Sequence, residues 1–213
     1  MKTKRVYDNK YGFPFIIRTP DNICDNLPLI VHLHGAGERG DGSITELDLV
    51  EVNGFPNIIT DEKDYNCILV MPQCPRNSFW VAQIPFIKEF ILSIIQEYRC
   101  DENRVYLTGL SMGGYGTWFT AMAYPDMFAA IAPCCGGGMS WNADVLKMPV
   151  WAFHGDADDV VFPYETENMI VKMREAGFDP KYTIYPGCGH NSWEQAFSDE
   201  LLEWMLLHKR CSE

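Results

Sequence analysis

Arg104-Val105-Tyr106-Leu107-Thr108-Gly109-Leu110-Ser111-Met112-Gly113-Gly114, running on through Tyr115 to Tyr124, is the stretch whose reading decides the fold. Arg104 to Thr108 reads as a short buried strand and Tyr115 to Tyr124 as a helix. Between them lies G-x-S-x-G. A strand that passes into a helix through this pattern turns so sharply that Gly109 and Gly113 must leave room for backbone, and the serine hydroxyl is held out at the apex. Alone the pattern is weak, and its surroundings give it weight.

Working outward, two further loops carry chemistry. Pro149-Val150-Trp151-Ala152-Phe153-His154-Gly155 is an apolar strand running into Asp156-Ala157-Asp158-Asp159, and Lys181-Tyr182-Thr183-Ile184-Tyr185 is a strand ending in Pro186-Gly187-Cys188-Gly189-His190. Serine, acid and histidine therefore follow one another in chain order, each just past the carboxyl end of a strand, where open α/β sheets gather their functional groups. Upstream, Leu27 to His34 is a nearly continuous apolar run suited to a central parallel strand, and it feeds His34-Gly35-Ala36-Gly37-Glu38-Arg39-Gly40. An acyl-transfer site needs two backbone N–H groups aimed at the oxygen that gains charge. By position these are Ala36, in the Gly-rich loop, and Met112, after the nucleophile. The loop also contains G-x-G-x-x-G, but Glu38 and Asp41 crowd it and no apolar helical pattern follows, so a nucleotide cradle is the weaker reading.

The remaining chain alternates in the same manner. Tyr11 to Thr19, Asn66 to Met71 and Ala129 to Pro133 read as strands. Phe86, Ile87, Phe90, Ile91, Ile94, Ile95 and Tyr98 recur at helical spacing, Pro163 to Gly177 has helix signals at both ends, and Phe197, Leu201, Trp204 and Met205 mark a final helix. The expectation is one domain over residues 1–213, a doubly wound, mostly parallel sheet with helices on both faces. Gly136 to Met148 is too short for a lid domain, which predicts an open site. A net charge of −12 argues against nucleic acid and anionic membrane partners. No apolar run is long enough to span a bilayer, and Val6-Tyr7-Asp8-Asn9-Lys10 stands where a signal peptide would be apolar. The eight cysteines (24, 67, 74, 100, 134, 135, 188 and 211) fit no paired metal or disulfide spacing. Free thiols and a cytoplasmic location are expected, with Cys74 and Cys188 the pair to watch because both lie in loops near the site.

Five motifs together resemble a known family. His32-Leu33-His34-Gly35-Ala36-Gly37-Glu38-Arg39-Gly40, Met71-Pro72-Gln73-Cys74-Pro75, Gly109-Leu110-Ser111-Met112-Gly113-Gly114, His154-Gly155-Asp156-Ala157-Asp158 and Gly189-His190-Asn191-Ser192-Trp193 are similar to those of the bacterial phospholipase/carboxylesterase-like α/β-hydrolases, relatives of the acyl-protein thioesterases. The resemblance runs from about Tyr11 to the last helix. It implies an α/β-hydrolase fold and a serine hydrolase acting on carboxylic esters, without metal or organic cofactor, on a small-molecule ester substrate. The family's acid position falls on Asp158, yet Asp159 directly follows it, and Asp156 stands nearby. Asp159 serves if the loop turns one residue later, whereas Asp156 suits a turn-bracing role. Among the histidines, His190 follows a Gly-rich turn after the penultimate strand and takes the place of the base, whereas His208 falls in the last turn of the final helix with Lys209 and Arg210, where a cation suits the dipole. His32, His34 and His154 end strands elsewhere, and a metal site built from them lacks a carboxylate or cysteine at ligand spacing. Trp80 and Trp193 are the candidates for lining the substrate pocket, with a core role for each the alternative. The expected activity is ester hydrolysis by Ser111, His190 and Asp158 on short acyl chains, including carbohydrate-borne ones. Alternatives are an oligopeptidase-like serine peptidase, a lysophospholipase or acyl thioesterase, and a non-catalytic binder on the same scaffold.

Overall fold

In the computed structural model of the chain, which describes residues 1–7 and 9–210, eight strands form one sheet in the order β1-β2-β4-β3-β5-β6-β7-β8. They are β1 (Lys2–Val6), β2 (Phe15–Thr19), β3 (Leu29–Leu33), β4 (Ile68–Pro72), β5 (Val105–Leu110), β6 (Ala130–Cys134), β7 (Trp151–Gly155) and β8 (Lys181–Tyr185). β1 pairs with β2 and β2 with β4 in antiparallel fashion; all other neighbours are parallel. Asp8 and Cys211 lie outside the described residues.

The apolar runs explain why the sheet is central. β3, β4, β5 and β6 are buried along their whole length, as parallel strands covered on both faces must be. Their side chains alternate between two cores. Leu29, Val31 and Leu33 join the core covered by α1 (Ile84–Tyr98), α2 (Met112–Ala123) and α3 (Tyr164–Glu175). Ile30 joins the other, covered by α5 (Asp199–Leu207) and by the turns carrying Leu47, Val50 and Phe55; a one-turn helix α4 (Trp193–Ala196) precedes α5. The arrangement is the doubly wound, mostly parallel sheet expected, with helices on both faces and none long and apolar enough to cross a membrane.

Local departures have local causes. The strand expected from Tyr11 starts only at Phe15, because residues 9–11 form a 3₁₀ turn and Gly12 then adopts φ 90°. The edge strand β1 was not anticipated. Its residues are largely exposed and basic, which conceals a strand pattern while guarding a sheet edge. Between β6 and β7 the ladder is thin: one pair, Cys134↔Phe153, and an isolated bridge at Ile131↔Val150.

Candidate active site

The serine loop is strained by construction. β5 delivers the chain to Ser111 at φ 53° and ψ −117°, and α2 begins at the next residue. That conformation is costly for a residue with a Cβ and persists only where its surroundings enforce it. Here Ser111 N–H bonds to Cys134 O at 3.0 Å and Tyr115 N–H to Ser111 O at 3.0 Å. A Cβ on Gly113 would stand 1.9 Å from the Leu33 carbonyl oxygen, so no other residue fits where α2 crosses the end of β3.

The three expected partners come together. His190, in the loop after β8, has Nε2 2.8 Å from Ser111 Oγ and Nδ1 2.8 Å from Asp158 Oδ2. Asp158, in the loop after β7, is 3% exposed. Its other oxygen, Oδ1, accepts from the amides of Val160 (3.0 Å) and Val161 (2.9 Å). Burial pushes the Asp158 carboxyl up, but hydrogen bonds from His190 and from the Val161 and Val160 amides outweigh it and hold it below the ordinary carboxylate value. The carboxylate is thus ionised while buried. Asp156 braces the loop as its turn position suggests: its Oδ1 accepts from Gly187 N at 2.6 Å and ties the acid loop to the base loop. Gly155 makes this approach possible, since a Cβ there would lie 2.2 Å from Cys188 O. Asp159 is exposed.

The Gly-rich loop after β3 is anchored from below. His34 Nε2 accepts from Cys74 N–H (3.0 Å), which leaves the proton on Nδ1 to bond Gly35 O (2.6 Å). Burial drives the His34 pKa down to about 4 and that of His32 to about 3, so both are neutral near pH 7. Ala36 opens a 3₁₀ turn, Ala36–Glu38, and Met112 opens α2. Both amides belong to first-turn positions, which have no partner within their own helix. The elements directly after Gly40 are the 3₁₀ turns Leu47–Glu51 and Phe55–Asn57, so G-x-G-x-x-G does not run into the helix N-terminus that a dinucleotide fingerprint requires.

The tryptophans divide. Trp80 does not line a pocket: it is fully buried, its indole N–H bonds His34 O at 2.9 Å, and its ring packs edge-on against His34 and Phe13. Size and an inward hydrogen-bond acceptor draw it into the core. Trp193, half-buried, stands edge-on to His190 with ring centroids 5.2 Å apart. Cys74 is buried and Cys188 partly so, and both are free thiols. His32, His34 and His154 bond to separate loops. The ligand-type cluster found among the described residues is Cys135, Asp158 and His190, with atoms within 4.8 Å of one another. Two of these already bond each other, and burial pushes the Cys135 thiol well above its ordinary pKa, which disfavours the thiolate a metal needs. Sequence reasoning missed the contact between His154 and Asp158. The i, i+4 spacing in His154-Gly155-Asp156-Ala157-Asp158 was its visible trace.

The chain is 26% identical over 171 residues to a bifunctional acetylxylan esterase/xylanase of Neocallimastix patriciarum, covering 75% of this chain and 23% of that protein. It is 27% identical over 189 residues to acetylxylan esterase A of Aspergillus ficuum, covering 84% and 62%. Among solved structures, a thermostable esterase superposes with a TM-score of 0.80 at 31% identity, covering 98% of this chain and 63% of the other. The chain thus spans between about a quarter and two thirds of the length of these relatives. The α/β-hydrolase fold expected from the motifs is that of these relatives. Residues 82–199, more than half the chain, match the dienelactone hydrolase family, and the chain belongs to that family.

Proposed function

We propose that this protein is a serine esterase in which Ser111 is the nucleophile, His190 the general base and acid, and Asp158 the residue that orients His190. The observation that carries this reading is the unbroken hydrogen-bond line from Ser111 Oγ through both nitrogens of His190 to Asp158, begun by a serine at positive φ. With Asp158 an obligate acceptor, the His190 proton sits on Nδ1 and Nε2 is free to take the serine proton. Ser111 then attacks the ester carbonyl, the amides of Ala36 and Met112 receive the oxyanion, and the protonated His190 returns its proton to the departing alcohol. Water repeats the sequence and releases the acid.

The substrates are short-chain acyl esters, carbohydrate-borne ones included. The acetylxylan esterases among the relatives support this, as does the short segment from Gly136 to Met148, which offers no deep acyl tunnel. The kinship with phospholipase/carboxylesterase-like enzymes rests on the five motifs, and a reducing compartment on the unpaired thiols. A fluorophosphonate probe should label the wild type and spare Ser111→Ala. That variant should stay folded and lose roughly 10³- to 10⁶-fold in kcat on p-nitrophenyl acetate. A folded Ser111→Ala retaining more than a tenth of the activity would remove the reading.

A further inference from the structure

His154, at the end of β7, is fully buried, yet both of its ring nitrogens are engaged. Nε2 lies 2.8 Å from Val161 O and 3.2 Å from Asp158 Oδ2. A carbonyl and a carboxylate can only accept, so Nε2 carries a hydrogen. Nδ1 lies 2.7 Å from Thr166 Oγ1, and that hydroxyl is 2.6 Å from Gly136 O. Gly136 in turn packs on the serine helix: a Cβ there would stand 2.5 Å from Gly114 C and 2.6 Å from Tyr115 N. The polar groups form a circuit. It starts at Gly136, packed against the start of α2, and passes through Thr166, His154, Asp158 and His190 to Ser111.

The oxygen of Asp158 that meets His154 is the one that accepts from His190. The two amides of Val160 and Val161 hold only Oδ1. With that oxygen fixed alone, the carboxylate can still rotate and carry Oδ2 away from His190. The Nε2–H of His154 blocks that rotation, and Thr166 blocks rotation of the His154 ring.

We propose that His154, steered by Thr166, is a positioning residue for the triad: it holds Asp158 Oδ2 at the point where His190 Nδ1–H meets it. This rests on the assignment of Ser111, His190 and Asp158 made above. Three variants test it. His154→Phe keeps a ring of similar size without either nitrogen, His154→Gln restores a donor, and Thr166→Val removes only the hydroxyl. Each is measured by kcat and KM on p-nitrophenyl acetate, by the low-field proton NMR signal of His190 Nδ1–H, and by thermal unfolding. His154→Phe should lower kcat by about 10- to 100-fold with KM within about twofold, since small misplacements of a catalytic group cost on this scale. The His190 proton should move upfield. His154→Gln should recover part of both, and Thr166→Val should lower kcat about three- to tenfold. A folded His154→Phe with unchanged kcat and an unmoved His190 proton overturns the proposal, as does a lowered melting temperature as its sole effect. Should His154→Phe fail to fold, Thr166→Val decides by the same two readouts. Ser111→Ala separates the two levels: if it is inactive while His154→Phe is fully active, only this inference falls, and if Ser111→Ala is active the triad reading falls with it.

Discussion

Replacing Asp158 by asparagine changes one atom and disturbs four hydrogen bonds. The carboxylate accepts from the amides of Val160 and Val161 on Oδ1 and meets His190 Nδ1 and His154 Nε2 on Oδ2. An amide accepts at one end only. If its carbonyl stays with the two backbone N–H groups, its NH₂ faces two histidine donors; if it flips, the NH₂ faces the two backbone donors. In the first orientation His190 relieves the clash by moving its proton to Nε2, which then points a donor at Ser111 and cannot take the serine proton. That leaves one buried donor unmet, a loss of about 1–3 kcal/mol in stability. In a serine protease, the general worked case for this substitution, the wrong tautomer costs about 10⁴ in kcat. A fall of about 10³ to 10⁴, or about 4–5.5 kcal/mol of transition-state stabilisation, is expected here. The assay is kcat on p-nitrophenyl acetate at neutral pH, with chemical denaturation alongside. Asp159→Asn should stay within about threefold of wild type, because that residue is exposed, and Asp156→Asn should chiefly lower stability, by turning the charge-assisted bond from Gly187 N into a weaker neutral one. The reasoning is refuted if Asp159→Asn falls to the level of Ser111→Ala while Asp158→Asn keeps more than a tenth of its activity.

Two other expectations follow from burial and shape. An unfolded histidine binds a proton below about pH 6.5, whereas His32 and His34 resist it until about 3 and about 4. Between pH 6.5 and 4 the unfolded state therefore holds more protons, and stability falls with acid by up to about 1.4 kcal/mol per pH unit for each histidine. Urea unfolding at pH 7, 6 and 5 should show this slope, and His32→Phe, in a pocket already bordered by Phe55 and Phe197, should reduce it; a flat profile would contradict it. With only the short segment from Gly136 to Met148 between β6 and β7, the proposed site should prefer acyl chains of about two to six carbons, and a kcat/KM that climbs steadily to C12 and beyond would indicate a lysophospholipase instead.

Much of this could be read in the sequence because its signals are local. Unbroken apolar runs mark strands buried on both faces, and the glycines around Ser111 are forced by contacts that any such turn makes. What stayed hidden depends on where side chains meet after folding. The acid lay among three aspartates within four positions, and only the path of the loop turns Asp158 inward while Asp159 faces solvent. Trp80 is as large and aromatic as Trp193, yet a free carbonyl at His34 gives it a reason to be inside. His154 passed for a strand end because its partner Thr166 is contributed by α3, and the acceptor of Thr166, Gly136 O, by the turn after β6. β1 escaped because solvent, more than the core, selected its side chains.

The thin ladder between β6 and β7 runs as a seam through the proposed site. Ser111 and the Gly-rich loop both issue from strands locked in register, Leu33 against Gly109, and Asp158 and His190 from another locked pair, Gly155 against Tyr185. The two pairs are joined through Cys134↔Phe153, the Ile131↔Val150 bridge, and backbone hydrogen bonds such as Cys135 N–H to Phe153 O at 2.8 Å. The bond between Ser111 and His190 therefore spans the seam and works as a gauge of the separation of its two sides. A small parting of the two sides would leave each loop intact and lengthen that one bond, so the proposed activity is more fragile in this architecture than either half of the sheet.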